Sequence, residues 1–204
     1  MGLKQRRERE KEGLREEILD AARTLFVKEG YESVSIRKIA DKVEYAPGTI
    51  YLYFRDKAEI LERICEETFS KLIIRLKAIE TDKGDPIEKL ARGLRTYIQF
   101  GLDHPHHYVV TFVQAKMSGQ ADEVFHKVGL QAFECLRRGV QEAIDAGKLV
   151  SNDTDEIAQT LWAGMHGLTS LLVTCDKFPF VEQSRLVDRM VRTLVDGVRI
   201  DRKV

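Results

Sequence analysis

Residues 45–57 read YAPGTIYLYFRDK, a Pro-Gly pair followed directly by a short apolar and aromatic run. Pro47 suits the first position of a helix, where its fixed φ fits and its missing N–H is not needed. If Ile50 and Phe54, four residues apart, face a core, then Pro47, Gly48, Thr49, Tyr51, Leu52 and Tyr53 are left largely outward. Two tyrosines and a leucine turned to solvent contribute little to folding. Their use has to be sought outside the chain.

Upstream, Leu14, Ile18, Leu19, Ala22, Leu25 and Phe26 form one helical stripe that stops at Gly30, a left-handed terminator. Ser35 then caps a second helix, in which Ile36, Ile39, Ala40 and Val43 recur at i, i+3, i+4 and i+7. After a break at Glu44 to Ala46, a third helix is expected from Pro47 to about Phe54. Three helices in 54 residues, the second and third short and closely joined, form a helix-turn-helix pattern whose last helix enters the major groove. An ordinary helical hairpin shares that spacing. The outward residues favour DNA: Gly48 allows close backbone approach, Thr49 offers a hydroxyl, Tyr51 and Tyr53 offer phenol donors to phosphates, and Leu52 can touch a thymine methyl.

Downstream, the three-and-four periodicity continues and almost nothing alternates, so the chain reads as all-α with about nine helices. Asp56 is the expected N-cap of one long helix that ends near Asp82 to Asp85, and Pro86 opens the next, which breaks at DHPHH (residues 103–107). A shorter helix is expected from about His107 to Lys116, then long ones over Asp122–Ala146, closed by Gly147, over Thr154 to about Cys175, and over Glu182 to about Val198. Residues 1–57 are read as the helix-turn-helix domain and 58–204 as a larger helical domain for ligand binding and dimerisation.

Composition excludes more than it assigns. Lys and Arg number 33, as do Asp and Glu, so no whole-chain field draws the protein to nucleic acid or an anionic membrane. Residues 1–57 hold 13 basic against 11 acidic side chains, a net of +2. Lys4, Arg6, Arg7 and Arg9, read as an arm preceding the first helix, can each neutralise a phosphate; interleaved with Glu8, Glu10 and Glu12, they also read as a solvated, frayed tail. No apolar run reaches a membrane span and no signal peptide opens the chain, so a cytosolic protein without membrane contact is expected. Cys65, Cys135 and Cys175 lack metal or redox spacing, and His104, His106 and His107 have only Asp103 beside them. No metal, cofactor or catalytic site is expected: the nucleophile-elbow, Walker, zinc-protease and dinucleotide motifs are all missing from the sequence.

ILDAARTLFVKEGYESVSIRKIADKV and PGTIYLYFRDKAEIL, roughly Ile18 to Leu61, resemble the first helices of the TetR family of bacterial transcriptional regulators. Carried over by position, the resemblance implies base or phosphate contacts at Ser35, Arg37, Pro47, Gly48, Thr49, Tyr51 and Tyr53, with a phosphate held by Lys57. The family usually has Gly where this chain has Glu44, so a left-handed turn there costs about 1 to 2 kcal/mol. LWAGMHGLTSL resembles a carboxy-terminal subgroup named for a tryptophan, histidine and glycine, here Trp162, His166 and Gly167.

The resemblance further implies a homodimer paired through the last two helices, an enclosed pocket for a small-molecule effector, and double-stranded DNA with a palindromic operator as partner. Ile157, Leu161, Met165, Leu168 and Leu172, with Val187, Met190, Val191, Leu194 and Val198, supply apolar stripes that suit pairing. Gly164 and Gly167 interrupt the first of these helices at a cost near 1 kcal/mol each, which fits a close approach, either by a partner backbone or by a neighbouring helix of the same chain. Candidate effector contacts are Tyr97, Phe100, Tyr108, Phe112, Met117, Phe133, Trp162 and His166, each of which also reads as core. The expected function is a ligand-released, sequence-specific repressor; the alternative is a small all-α carrier or enzyme using the same cavity.

Overall fold

The computed structural model describes residues 3–114, 128–150 and 153–200. Among them are nine α-helices, α1 (Leu3–Glu29), α2 (Ile36–Lys42), α3 (Pro47–Ile50), α4 (Lys57–Glu80), α5 (Pro86–Asp103), α6 (Pro105–Tyr108), α7 (Leu130–Asp145), α8 (Thr154–Thr174) and α9 (Gln183–Val198), with a π-helical segment at Val109–Gln114. Two compact units emerge, Met1–Thr68 with His106–His126 and Phe69–Pro105 with Lys127–Val204.

Local chemistry sets most of the boundaries in the first unit. Ile18, Leu19, Ala22 and Phe26 of α1 are buried, and the helix stops where Gly30 turns to φ 81°. Its start differs from expectation: the basic arm is helical from Leu3, and Arg6 reaches Glu10 one turn on at 2.8 Å. Apolar periodicity could not reveal this part, because residues 4–13 contain no apolar side chain. Ser35 caps α2 in an extended conformation, its hydroxyl oxygen accepting the Lys38 N–H at 3.3 Å. Asp56 caps α4 by accepting the Glu59 N–H at 2.8 Å, and the Glu59 carboxylate returns to the Arg55 N–H at 2.7 Å. The Glu59 N–H and the Arg55 guanidinium hold the Asp56 carboxyl below its ordinary range.

The helix expected near His107 to Lys116 begins earlier, at Pro105, and widens into the π segment after one turn. Tyr108, Val110, Thr111 and Phe112 are all buried there, so an amphipathic 3.6-residue pattern has no solvent face on which to show. Lys116 and the first residues of the helix expected from Asp122 lie outside the described residues.

In the second unit α5 and α8 each pack on α7 and α9, and also on each other. Here part of each pairing stripe is used inside the chain, while Leu172, Met190, Leu194 and Val198 stay half-buried. Ile157, Leu161, Met165 and Leu168 are buried within the chain, as are Val187 and Val191. Gly164 serves the same packing, since a Cβ there would stand 2.5 Å from Leu194 Cδ2 on α9. Gly167 differs, with nothing within 4 Å of an added Cβ. Lys89 is buried, its ammonium donating to both Glu142 carboxylate oxygens at 2.7 and 2.8 Å and to the Glu80 carbonyl at 3.1 Å, which ties the ends of α4, α5 and α7. Gly147 closes α7 at φ 66°.

Candidate functional site

The segment 45–57 divides as its spacing predicts. Ile50 and Phe54 are 0% and 1% exposed, whereas Tyr51 and Leu52 are 57% and 76% exposed. Only Pro47–Ile50 is α-helical; beyond it Leu52 and Tyr53 donate to Thr49 and Ile50 carbonyls three residues back, while Phe54 donates to Ile50. The tightening follows from what comes next, since the chain must reverse by Asp56 to cap α4. Ser35, Arg37, Pro47 and Gly48 are also exposed, and Thr49 and Tyr53 are half-buried. The structure therefore brings the predicted contact residues to the surface of one small three-helix unit.

Between α2 and α3, Glu44 takes φ 61°, the left-handed conformation that glycine adopts without strain. Its N–H donates to Asp41 and the Tyr45 N–H to Ala40, so the turn is closed by backbone bonds that hold the residue there. Replacing Glu44 with Gly relieves the strain but loosens the unfolded chain, so a net gain of about 0.5 to 1 kcal/mol is expected. A urea midpoint that falls on this substitution would contradict the account.

Lys57 is less free than its sequence position suggests. Its ammonium donates to the Tyr31 carbonyl at 2.8 Å and lies 4.1 Å from the centre of the Tyr31 ring, leaving two N–H bonds to offer elsewhere. Burial, with Glu32 and Asp56 nearby, pushes the Tyr31 phenol up. Two residues escaped the sequence reading: Lys11 Nζ stands 5.9 Å from the Tyr53 ring centre, and the Arg15 guanidinium 5.5 Å from that of Phe54. Their recurrence every four residues after Arg7 was the available signal.

The proposed effector residues do not all converge. Tyr97 on α5, Phe133 on α7, and Trp162 and His166 on α8 form one cluster: the Tyr97 hydroxyl is 2.9 Å from His166 Nδ1, and the Trp162 ring lies 5.7 Å from His166 and 5.9 Å from Phe133. Phe100 instead packs on His104 at 5.0 Å, under the Arg75 guanidinium at 5.3 Å. Tyr108 and Phe112 stack on each other at 4.8 Å and belong to the first unit. Met117 lies outside the described residues. The histidines of DHPHH go separate ways, His104 to Arg75 and Phe100, and His107 Nδ1 to the Thr68 hydroxyl at 3.0 Å. Among the described residues no cluster of three or more His, Cys, Asp or Glu could hold a metal ion, and no helix is long and apolar enough to cross a membrane.

A short anchored helix with an exposed aromatic face, set behind a capped helix and a tight turn, defines a helix-turn-helix DNA-binding protein. The chain belongs to the TetR family of bacterial regulatory proteins: residues 18–64 match the family described as "Bacterial regulatory proteins, tetR family", and residues 90–194 match "Tetracyclin repressor-like, C-terminal domain". It is a DNA-binding transcriptional regulator. A fatty acid metabolism regulator protein of Bacillus subtilis (strain 168) is 26% identical over 187 residues, 89% of this chain and 94% of the relative. Among solved structures, the fatty acid degradation regulator FadR from Bacillus halodurans superimposes with TM-score 0.75 at 21% identity, covering 89% of this chain and 94% of that one. FadR from Bacillus subtilis in complex with stearoyl-CoA gives TM-score 0.74 at 23% identity, covering 89% and 97%. The relatives matched are regulators and not enzymes.

Proposed function

We infer that the chain acts as a homodimeric repressor, bound to an inverted-repeat operator and released by a small molecule with a long apolar chain and one polar group, such as a fatty acyl thioester. The observation that carries the DNA half is the division of residues 50–54, with Ile50 and Phe54 buried while Tyr51 and Leu52 stand exposed. Residues 1–57 supply the DNA contacts, through Ser35, Arg37, Pro47, Gly48, Thr49, Tyr51, Leu52, Tyr53 and Lys57. Residues 58–204 supply pairing and the effector site.

For the effector, the Tyr97–His166 pair beside Trp162, which Phe133 backs, offers one polar contact amid aromatic surface, and the relatives are named for fatty acid regulation. Pairing through α8 and α9 draws on what the core leaves over: Gly167 with open space beside it, and Leu171 half exposed one turn on. Two recognition helices then need a separation of about 34 to 36 Å. The effector acts through α4, which begins in one unit and ends in the other, by favouring one packing of the second unit; it shifts the equilibrium only by its difference in affinity for the two states.

Selection of bound duplexes from a random library tests the reading. An inverted repeat is expected, and a long-chain acyl-CoA titrated into that complex should release it where free coenzyme A does not. Recovery of no sequence preference would sink the repressor reading, and release by neither compound would sink the acyl effector alone.

A further inference from the structure

The helical start of α1 gives the basic arm a face. Arg7, Lys11 and Arg15 recur every four residues, and Lys4 shares their register three residues before Arg7, so all four positions fall on one side of the helix. That side leads to the recognition segment, since Lys11 meets the Tyr53 ring and Arg15 the Phe54 ring. The cations also differ in what they already hold. Arg6, on another side, is paired with Glu10 at 2.8 Å, and Arg15 with Glu12 at 3.6 Å. Arg7 and Lys11 are exposed and have no carboxylate partner among the described residues, although Glu8 and Glu12 flank the stripe.

We propose that the exposed first turns of α1 form a second DNA-contact surface, in which Arg7 and Lys11 bind backbone phosphates flanking the segment that α3 reads. The surface rests on the DNA-binding reading and extends it. Lys11 and Tyr53 lie close enough to share one phosphate, the phenol donating a hydrogen bond and the ammonium supplying charge. From Lys11 back to Leu3 the helix rises about 12 Å at 1.5 Å per residue, or three to four nucleotides of one strand. Base edges are out of play, because the stripe carries long cations and no planar amide, so it adds affinity and not sequence preference. A lipid surface is the wrong occupant: residues 4–13 offer no apolar face to bury in a bilayer.

The test compares Arg7→Gln/Lys11→Gln with Arg6→Gln in the full-length chain, on the operator recovered by library selection, across a salt series. Each lost phosphate contact lowers the slope of log K against log salt by about 0.9, and a dimer carries two copies, so the double variant should lose about 3 to 4 from the slope while its selected sequence stays the same. Arg6→Gln should move the slope far less. Shortening the duplex to the bases α3 reads should weaken the wild type and leave the double variant unchanged. An unaltered slope in a double variant that still binds the operator, or equal losses for both variants, overturns the proposal. Absence of operator binding by the wild type would instead count against the repressor reading itself.

Discussion

Phe54→Ala is expected to destabilise the helix-turn-helix unit by about 3 to 5 kcal/mol, the range for emptying a phenylalanine-sized site in a packed core. The side chain is 1% exposed, so nearly all its apolar surface is lost from burial when it is truncated. Its backbone is fixed by donation to the Ile50 carbonyl at 3.0 Å, and the Arg15 guanidinium over its ring loses an aromatic face. Against a total stability of about 5 to 15 kcal/mol, a loss of that size removes a fifth or more. Urea unfolding should show a lower midpoint, and operator binding should fail in parallel because α3 loses its anchor. A loss below about 1 kcal/mol would mean that the core is not where the exposures place it.

What the sequence disclosed depended on whether local chemistry settled the matter. Gly30 and Gly147 stop helices because the left-handed terminator is written into one residue, and Ser35, Asp56 and Pro47 start helices for equally local reasons. The beginning of α1 was hidden because charged residues carry no apolar period. Only pairs such as Arg6 with Glu10 mark that stretch as helix. The stripes on α8 and α9 were visible, but an apolar face does not say what covers it; Ile157, Leu161, Val187 and Val191 are covered by their own chain. The effector set suffered the same ambiguity. Tyr97 and His166, 69 residues apart, meet through a bond that no spacing encodes, while Phe100, three residues after Tyr97, turns to His104. At Glu44 the departure from glycine was legible, and the structure adds that the left-handed turn is kept in spite of it.

Tyr51→Ala should leave the fold alone and abolish tight operator binding. With 57% of the residue exposed, truncation removes little buried surface, so the unfolding midpoint should stay within about 0.5 kcal/mol of wild type. The loss falls on the complex. A phenol donating to a phosphate oxygen contributes about 1.5 to 3 kcal/mol, as hydrogen bonds to charged groups do, and a dimer makes the contact twice. Two copies amount to about 3 to 6 kcal/mol, which is a weakening of at least a hundredfold at fixed salt. Tyr51→Phe separates the hydroxyl from the ring: if the hydroxyl carries the contact, Phe should bind as poorly as Ala, whereas a Phe variant close to wild type assigns the contact to the ring face. Retained affinity in Tyr51→Ala would remove the Tyr51 side chain from the operator contacts and leave them to its neighbours on the same segment. Tyr51 and Phe54 stand three positions apart, and the two alanine variants should fail in opposite ways, one keeping the fold without the operator and the other losing the operator because it has lost the fold.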